Sequence, residues 1–293
     1  MSLILPTVET KTALRARMSE FAARRKRTVL VPTMGALHDG HLSLIKIANR
    51  AADKVIVSIF VNPTQFAPGE DFDAYPRDVQ ADLEMLAGEG VDLVYLPTTK
   101  TMYPPDHSTQ IIVGGVGDGL ETDHRPTFFH GVALVVNKLL NQVQPDMAIF
   151  GEKDYQQLAV IRRMVRDLDM AVEIIGAPIA RDKHGLALSS RNRYFDADGI
   201  TVARALNTTM FSARDQFQSG AEITPTLAAA RQTLLDKGFS DVDYVSLANA
   251  SSLDIMRDGP ITAPMRLLVA AHCRGVRLID NCAVSPPPTE SLS

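Results

Sequence analysis

Over the first 175 or so positions the apolar residues fall into two alternating rhythms. Short unbroken runs read as strands covered on both faces: TVLVP (28–32), VIVSIFV (55–61), VDLVYLP (91–97), MAIFG (147–151) and AVEII (171–175). Between them, residues 10–25, 40–52, 76–90, 130–143 and 155–168 space their apolar positions as helices do. The 76–90 stretch opens with Pro76, carries its acids early and ends in glycine, which are helix start and stop signals. Strands alternating with helices of this length predict an α/β fold, a parallel sheet with helices on both faces. After residue 179 the rhythm changes. Two helices (196–218 and 224–237) precede three strands, VDYVSLANA, APMRLLVAAHC and GVRLIDNC. The last two are joined by a tight Arg274-Gly275 turn. This is a smaller C-terminal α+β domain. The expected division is therefore 1–179 and 180–284, with a short hinge at GAPIA (176–180) and a disordered tail over 285–293.

A chain of 293 residues has room for two such domains. Its 45% hydrophobic and 22% charged content is that of an ordinary globular protein. A net charge of −4 gives no basic footprint for nucleic acid or an anionic membrane. The cluster Arg24-Arg25-Lys26-Arg27 reads as the basic end of a helix. Cys273 and Cys282 stand in apolar runs without a Cys-x-x-Cys, so neither a disulfide framework nor a structural zinc site is expected. MSLILP lacks the charged start of a signal peptide, and no apolar run reaches the ~20 residues of a membrane span. A cytoplasmic protein is expected.

Open parallel sheets bind ligands beyond the carboxyl ends of their strands, at a topological switch point. TMGALHDGH (33–41) leaves such an end, and so does GEKDYQQ (151–157). His38-Asp39-Gly40-His41 fits H-x-G-H. With a helix starting at Gly40, both imidazoles flank a helix N-terminus, where unpaired N–H groups and the dipole favour an anion such as phosphate. Gly35 and Gly40 let the backbone approach a bulky ligand. Two competing readings stay open: a two-histidine metal site, which lacks a third ligand, and a plain capped helix. Gly151, Lys153 and Asp154 at the second end suit phosphate and ribose, or a solvated loop. Ser189, Ser190 and Arg191 in LALSSRNRY offer donors to a pyrophosphate, or form a polar turn. In VNPTQF (61–66) the amides Asn62 and Gln65 lie beside Phe60 and Phe66, a mixture suited to a small polar acid with an apolar body. The string GGVGDG (114–119) misses the spacing of a dinucleotide fingerprint, and neither a P-loop nor a G-x-S-x-G elbow occurs.

VPTMGALHDGH, FVNPTQF, FGEKDYQQL and GLALSSRNRY, in this order and at these intervals, resemble the pantothenate synthetase (pantoate–β-alanine ligase) family of H-x-G-H nucleotidyltransferases. The resemblance is dense from residue 28 to 195. It implies a Rossmann-like domain binding nucleotide and pantoate, a smaller C-terminal lid domain and a homodimer. It also implies a two-step reaction. Pantoate attacks the α-phosphate of ATP to give pantoyl adenylate and pyrophosphate, and β-alanine then displaces AMP to give pantothenate. The family's nucleotide contacts fall on Met34, Gly35, Ala36, Leu37, His38, Asp39, Gly40 and His41, on Gly151, Glu152, Lys153 and Asp154, on Ala180, and on Leu188, Ser189, Ser190 and Arg191. His38, His41, Lys153, Ser189, Ser190 and Arg191 carry the catalysis, with His41 in the place of the family's proton donor. Pantoate contacts fall on Gln65 and Gln157, and Gln65 also borders the β-alanine site. Mg²⁺ is expected mainly on the ATP phosphates, with Asp82 as an outer ligand. One departure stands out: Phe128 occupies a position where the family pattern has histidine, and His130 follows two residues on. Two rivals remain at this point, an H-x-G-H enzyme acting on a phosphorylated small molecule and a nucleotide-binding regulator without turnover.

Overall fold

A computed structural model describes residues 5–67, 69–70 and 72–287, so part of the expected tail, 288–293, lies outside the described residues. The chain divides into two compact units. One comprises Met1–Gly117, Glu121–Glu152 and Gln157–Ile179; the other comprises Asp118–Leu120, Lys153–Gln156 and Ala180–Ser293.

The first unit is a parallel sheet of six strands flanked by helices. In chain order its elements are β1 (Thr7–Val8), α1 (Lys11–Ala23), β2 (Thr28–Thr33), α2 (Asp39–Ala51), β3 (Lys54–Ile59), α3 (Val79–Leu86) and β4 (Leu93–Tyr95). These are followed by α4 (Thr99–Met102), α5 (Glu121–His124), α6 (Phe128–Val143), β5 (Met147–Gly151), α7 (Tyr155–Asp167), whose first two residues fall in the other unit, and β6 (Glu173–Ala177). The strand order is β1-β4-β3-β2-β5-β6. Strand side chains alternate between the two faces. Val29, Val31, Val55 and Val57 meet Leu44, Ile45 and Ala48 of α2 and Leu86 of α3. Tyr95 points the other way, and its hydroxyl donates to Gln142 Oε1 of α6 at 2.7 Å. Burial pushes that phenol up to about 12, so the bond persists through physiological pH.

The second unit holds α8 (Ala197–Gln218), α9 (Ile223–Asp236), β7 (Asp241–Asn249), β8 (Ile255–Met256), β9 (Met265–Cys273) and β10 (Val276–Val284). Its four-stranded antiparallel sheet has the order β10-β9-β7-β8. Leu206, Met210 and Phe217 of α8 and Leu234 of α9 pack with Leu247, Leu267 and Val269 of the sheet. Arg274 and Gly275 both take positive φ, 47° and 79°, the turn that joins two twisted strands most tightly. Cys273 and Cys282 are free and buried.

The differences from expectation are local. Val79 opens α3, with Asp78 as its cap; Pro76 therefore precedes the helix and does not start it. The helix expected over 130–143 begins at Phe128. The two-residue strands β1 and β8 and the four-residue helices α4 and α5 are too short to show a period. Among the described residues no helix is long and apolar enough to cross a membrane.

Candidate active site

The chain runs outward through β2, β3 and β4, then returns to place β5 and β6 on the other side of β2. The direction reverses between β2 and β5, which makes this the switch point. The ladder there covers only Val29–Leu30 against Met147–Ala148, while β2 runs on to Thr33 and β5 to Gly151. Both carboxyl ends thus lie past the last pairing of β2 with β5, although each stays paired with its other neighbour.

After β2, Gly35 and Ala36 turn the chain with φ of 80° and 50°. Asp82 of α3 holds this turn: its Oδ2 accepts from Ala36 N at 3.0 Å and its Oδ1 from Leu37 N at 2.8 Å. A Cβ at position 35 would come within 2.8 Å of the same carboxylate, so glycine is required for the brace as well as for the turn. His38 is the N-cap of α2, which begins at Asp39, one residue earlier than expected. The two histidines form a capping box: His38 Nδ1 accepts from Gly40 N at 3.1 Å, and His41 Nδ1 accepts from His38 N at 3.3 Å. An accepting Nδ1 puts the proton of a neutral imidazole on Nε2. Both rings are therefore N–H donors at Nε2, with centroids 4.2 Å apart. The capped-helix reading and the anion reading coexist, because one ring nitrogen closes the helix and the other is a donor.

After β3, a 3₁₀ turn (Pro63–Gln65) is capped by buried Asn62. Asn62 Nδ2 donates to Gln65 Oε1 at 3.0 Å. Asn62 Oδ1 accepts from Tyr103 OH at 2.8 Å and from Thr64 Oγ1 at 3.0 Å. With its oxygen taken, Gln65 offers Nε2, which lies 2.9 Å from Met34 Sδ. The loops after β2 and β3 thus meet at Met34 and Gln65. Gly131 lets α6 press on this turn, since a Cβ there would overlap the Thr64 carbonyl.

In the second unit, Leu188 N donates to Ala180 O at 2.9 Å, which brings two of the expected nucleotide contacts side by side. Ser189 caps the 3₁₀ turn Ser190–Tyr194, and its Oγ accepts from Arg191 N at 3.3 Å. Lys153 and Asp154 belong to this unit. The carbonyl of Lys153 accepts from Asn281 Nδ2 at 2.8 Å.

The pantoate-beta-alanine ligase family model matches residues 6–283. The chain belongs to that family. The pantothenate synthetase of Sphingopyxis alaskensis is 54% identical over 259 residues, covering 88% of this chain and 92% of the relative. That of Maricaulis maris is 48% identical and covers 97% and 98%. The crystal structure of pantothenate synthetase from Thermus thermophilus superposes with a TM-score of 0.89 at 40% identity, covering 96% of this chain and all of that one. A pantoate-beta-alanine ligase from Francisella tularensis, complexed with beta-gamma ATP and beta-alanine, has a TM-score of 0.79 at 32% identity and covers 95% and 97%. This chain is accordingly an ATP-dependent ligase that condenses pantoate with β-alanine.

One expectation for this pantoate–β-alanine ligase changes, and one departure from the family pattern acquires a setting. Asp82 does not fit an outer metal ligand: it is 5% exposed, and both of its oxygens accept loop amides. Among the described residues no group of three or more His, Cys, Asp or Glu could hold a metal ion. Phe128 has its own task. Its ring lies 3.8 Å from the Arg125 guanidinium, which forks onto Glu70 at 2.6 and 2.7 Å and reaches the Gln65 carbonyl at 3.1 Å. His130 stands half-buried in the first turn of α6. Sequence reasoning missed Tyr103, Arg266 and Asn281. Tyr103 ends a helix too short to show a period, and a lone polar side chain in an apolar strand, as at Arg266 and Asn281, looks solvent-facing until its partner is known.

Proposed function

We propose that the loops after β2 and β3 hold pantoate and the α-phosphate of ATP, and that His41, in the place of the family's proton donor, gives its Nε2–H as a hydrogen bond to the phosphate oxygens during adenylation. The observation that carries this is the pair of backbone N–H bonds to His38 Nδ1 and His41 Nδ1 at the start of α2, which turns the Nε2 side of each neutral ring into the donor. Donors fixed in advance, where charge grows on phosphate oxygens, lower the barrier without reorganisation. The pantoate carboxylate is a sufficient nucleophile. It attacks the α-phosphorus, a carboxylate–phosphate anhydride forms, and pyrophosphate leaves with the electron pair of the broken P–O bond. Gln65 offers N–H rather than oxygen, the polarity that a carboxylate or hydroxyl of pantoate needs, and Gln157 is its companion. Lys153, Ser189, Ser190 and Arg191 take the pyrophosphate charge as it departs. The β-alanine amine then adds to the acyl carbon and AMP leaves. Magnesium rides on the nucleotide phosphates in this reading, and no step is assigned to it. A homodimer is adopted on the family resemblance.

The test is pyrophosphate release from ATP across a panel of small acids. Release with pantoate alone, followed by AMP release only on adding β-alanine, supports the assignment; equal release with unrelated acids overturns it. His41→Ala should slow adenylation by roughly 10²-fold or more, the scale for losing a transition-state donor. A near-wild-type rate removes His41 from the mechanism.

A further inference from the structure

The segment Lys153–Gln156 clusters with the second unit although strands and helices of the first flank it in sequence. Three attachments explain this. Asn281 Nδ2, from β10, donates to the Lys153 carbonyl at 2.8 Å. Arg266, from β9, stacks its guanidinium 4.1 Å from the Tyr155 ring, whose hydroxyl donates to Ala250 O at 2.8 Å. Gln156 Nε2 donates to the carbonyls of Asp118 and Gly119 at 3.4 and 3.2 Å.

Asn281 and Arg266 act as a pair. Arg266 Nε donates to Asn281 Oδ1 at 2.6 Å. Strand register sets them side by side, since Asn281 faces Leu268 and Arg266 faces Ala283 across the same ladder. Only 2% of Asn281 and 9% of Arg266 is exposed. Burying an amide and a guanidinium in a small sheet costs free energy unless both find partners. Here the partnership has a direction. The Arg266 donor fixes the amide with its oxygen toward β9, so its NH₂ must face Lys153. The carbonyl of Lys153 is thereby held, and with it the Cα from which the side chain springs.

We propose that Asn281, oriented by Arg266, is a positioning residue for the Lys153 ammonium during adenylation. This rests on the reading that Lys153 takes pyrophosphate charge. A shift of about 1 Å in such a group can cost on the order of a hundredfold in rate, so a carbonyl clamp on the lysine's own residue is well placed to matter.

The decisive change is Asn281→Asp, which keeps size and the acceptor for Arg266 but removes the N–H aimed at Lys153. Pantoate-dependent pyrophosphate release is measured on the full chain for wild type, Asn281→Asp, Lys153→Ala and the double variant, with a thermal melt of each. The expected result is an adenylation kcat about tenfold or more lower in Asn281→Asp, with the KM for β-alanine unchanged. In the Lys153→Ala background the same change should have almost no further effect, because residues acting through one another are non-additive. If Asn281→Asp does not fold, Arg266→Gln replaces it in the cycle and should give a smaller loss of the same kind. A wild-type rate in the Asn281 variant, or an undiminished loss in the Lys153→Ala background, overturns the proposal. A near-wild-type Lys153→Ala overturns the role of the lysine instead, and so separates the two failures.

Discussion

Each of the two sheets is associated with a buried carboxylate, and the two are used differently. Asp82 packs against the parallel sheet with two backbone amides on its oxygens, both from the loop that ends in His38. Asp280 lies in the antiparallel sheet and receives the Arg181 fork at 2.6 and 2.8 Å. The first carboxylate shapes the loop that leads into α2; the second, itself buried, matches the charge of a guanidinium that is still 19% exposed. Topology explains the contrast. Parallel strands send all their carboxyl ends to one edge, so turns after β2, β3 and β5 accumulate there, and polar side chains are recruited to hold them. Antiparallel strands divide their ends between two edges, and their interior polar groups mostly answer to one another.

The comparison is sharpest if activity and stability separate. Asp82→Asn should produce the largest loss, adenylation falling by on the order of 10²-fold as the loop loses its second acceptor. One buried N–H left facing an NH₂ should also cost about 1–3 kcal/mol in chemical denaturation. An unchanged rate would mean that the loop holds its own shape. Gly131→Ala should come next. A Cβ forces α6 off the 3₁₀ turn that carries Gln65, which should raise the KM for pantoate about tenfold and cost about 1–3 kcal/mol. An equal rise for ATP would place Gln65 elsewhere. Asp280→Asn should do the reverse and cost about 3 kcal/mol of stability by leaving the Arg181 charge unmatched. Activity per folded molecule should stay near wild type, because the remaining amide oxygen can still accept the Asn281 N–H seen at 2.8 Å. Loss of turnover without loss of stability would erase the distinction between the sheets. The smallest effect concerns the thiols. Burial raises both, Cys282 to about 11, so a thiol-specific reagent at pH 8 should label neither in the native protein and both after unfolding.

The long elements were legible in the sequence because their periods run over many residues. TVLVP and VIVSIFV are apolar but for Thr28 and Ser58 and became β2 and β3, while 155–168 repeats every three to four residues and became α7 to within a residue. The loops were legible as chemistry but not as geometry. H-x-G-H announced a helix start, yet nothing in the string says that imidazole nitrogens would serve as the caps. Asp82 looked like an available carboxylate, since its partners lie 45 and 46 positions upstream. Arg266 and Asn281 were harder still: their meaning depends on a strand register and on a loop 128 residues away.

That loop bears on how such a protein can be altered by recombination. A piece ending at Ile179 would inherit Lys153 in its sequence while leaving behind Asn281, Arg266 and Ala250, the groups that fasten its neighbourhood. Swapping the C-terminal portion between relatives would likewise import a new saddle for an old lysine. The two units are modules by compactness, but not by heredity.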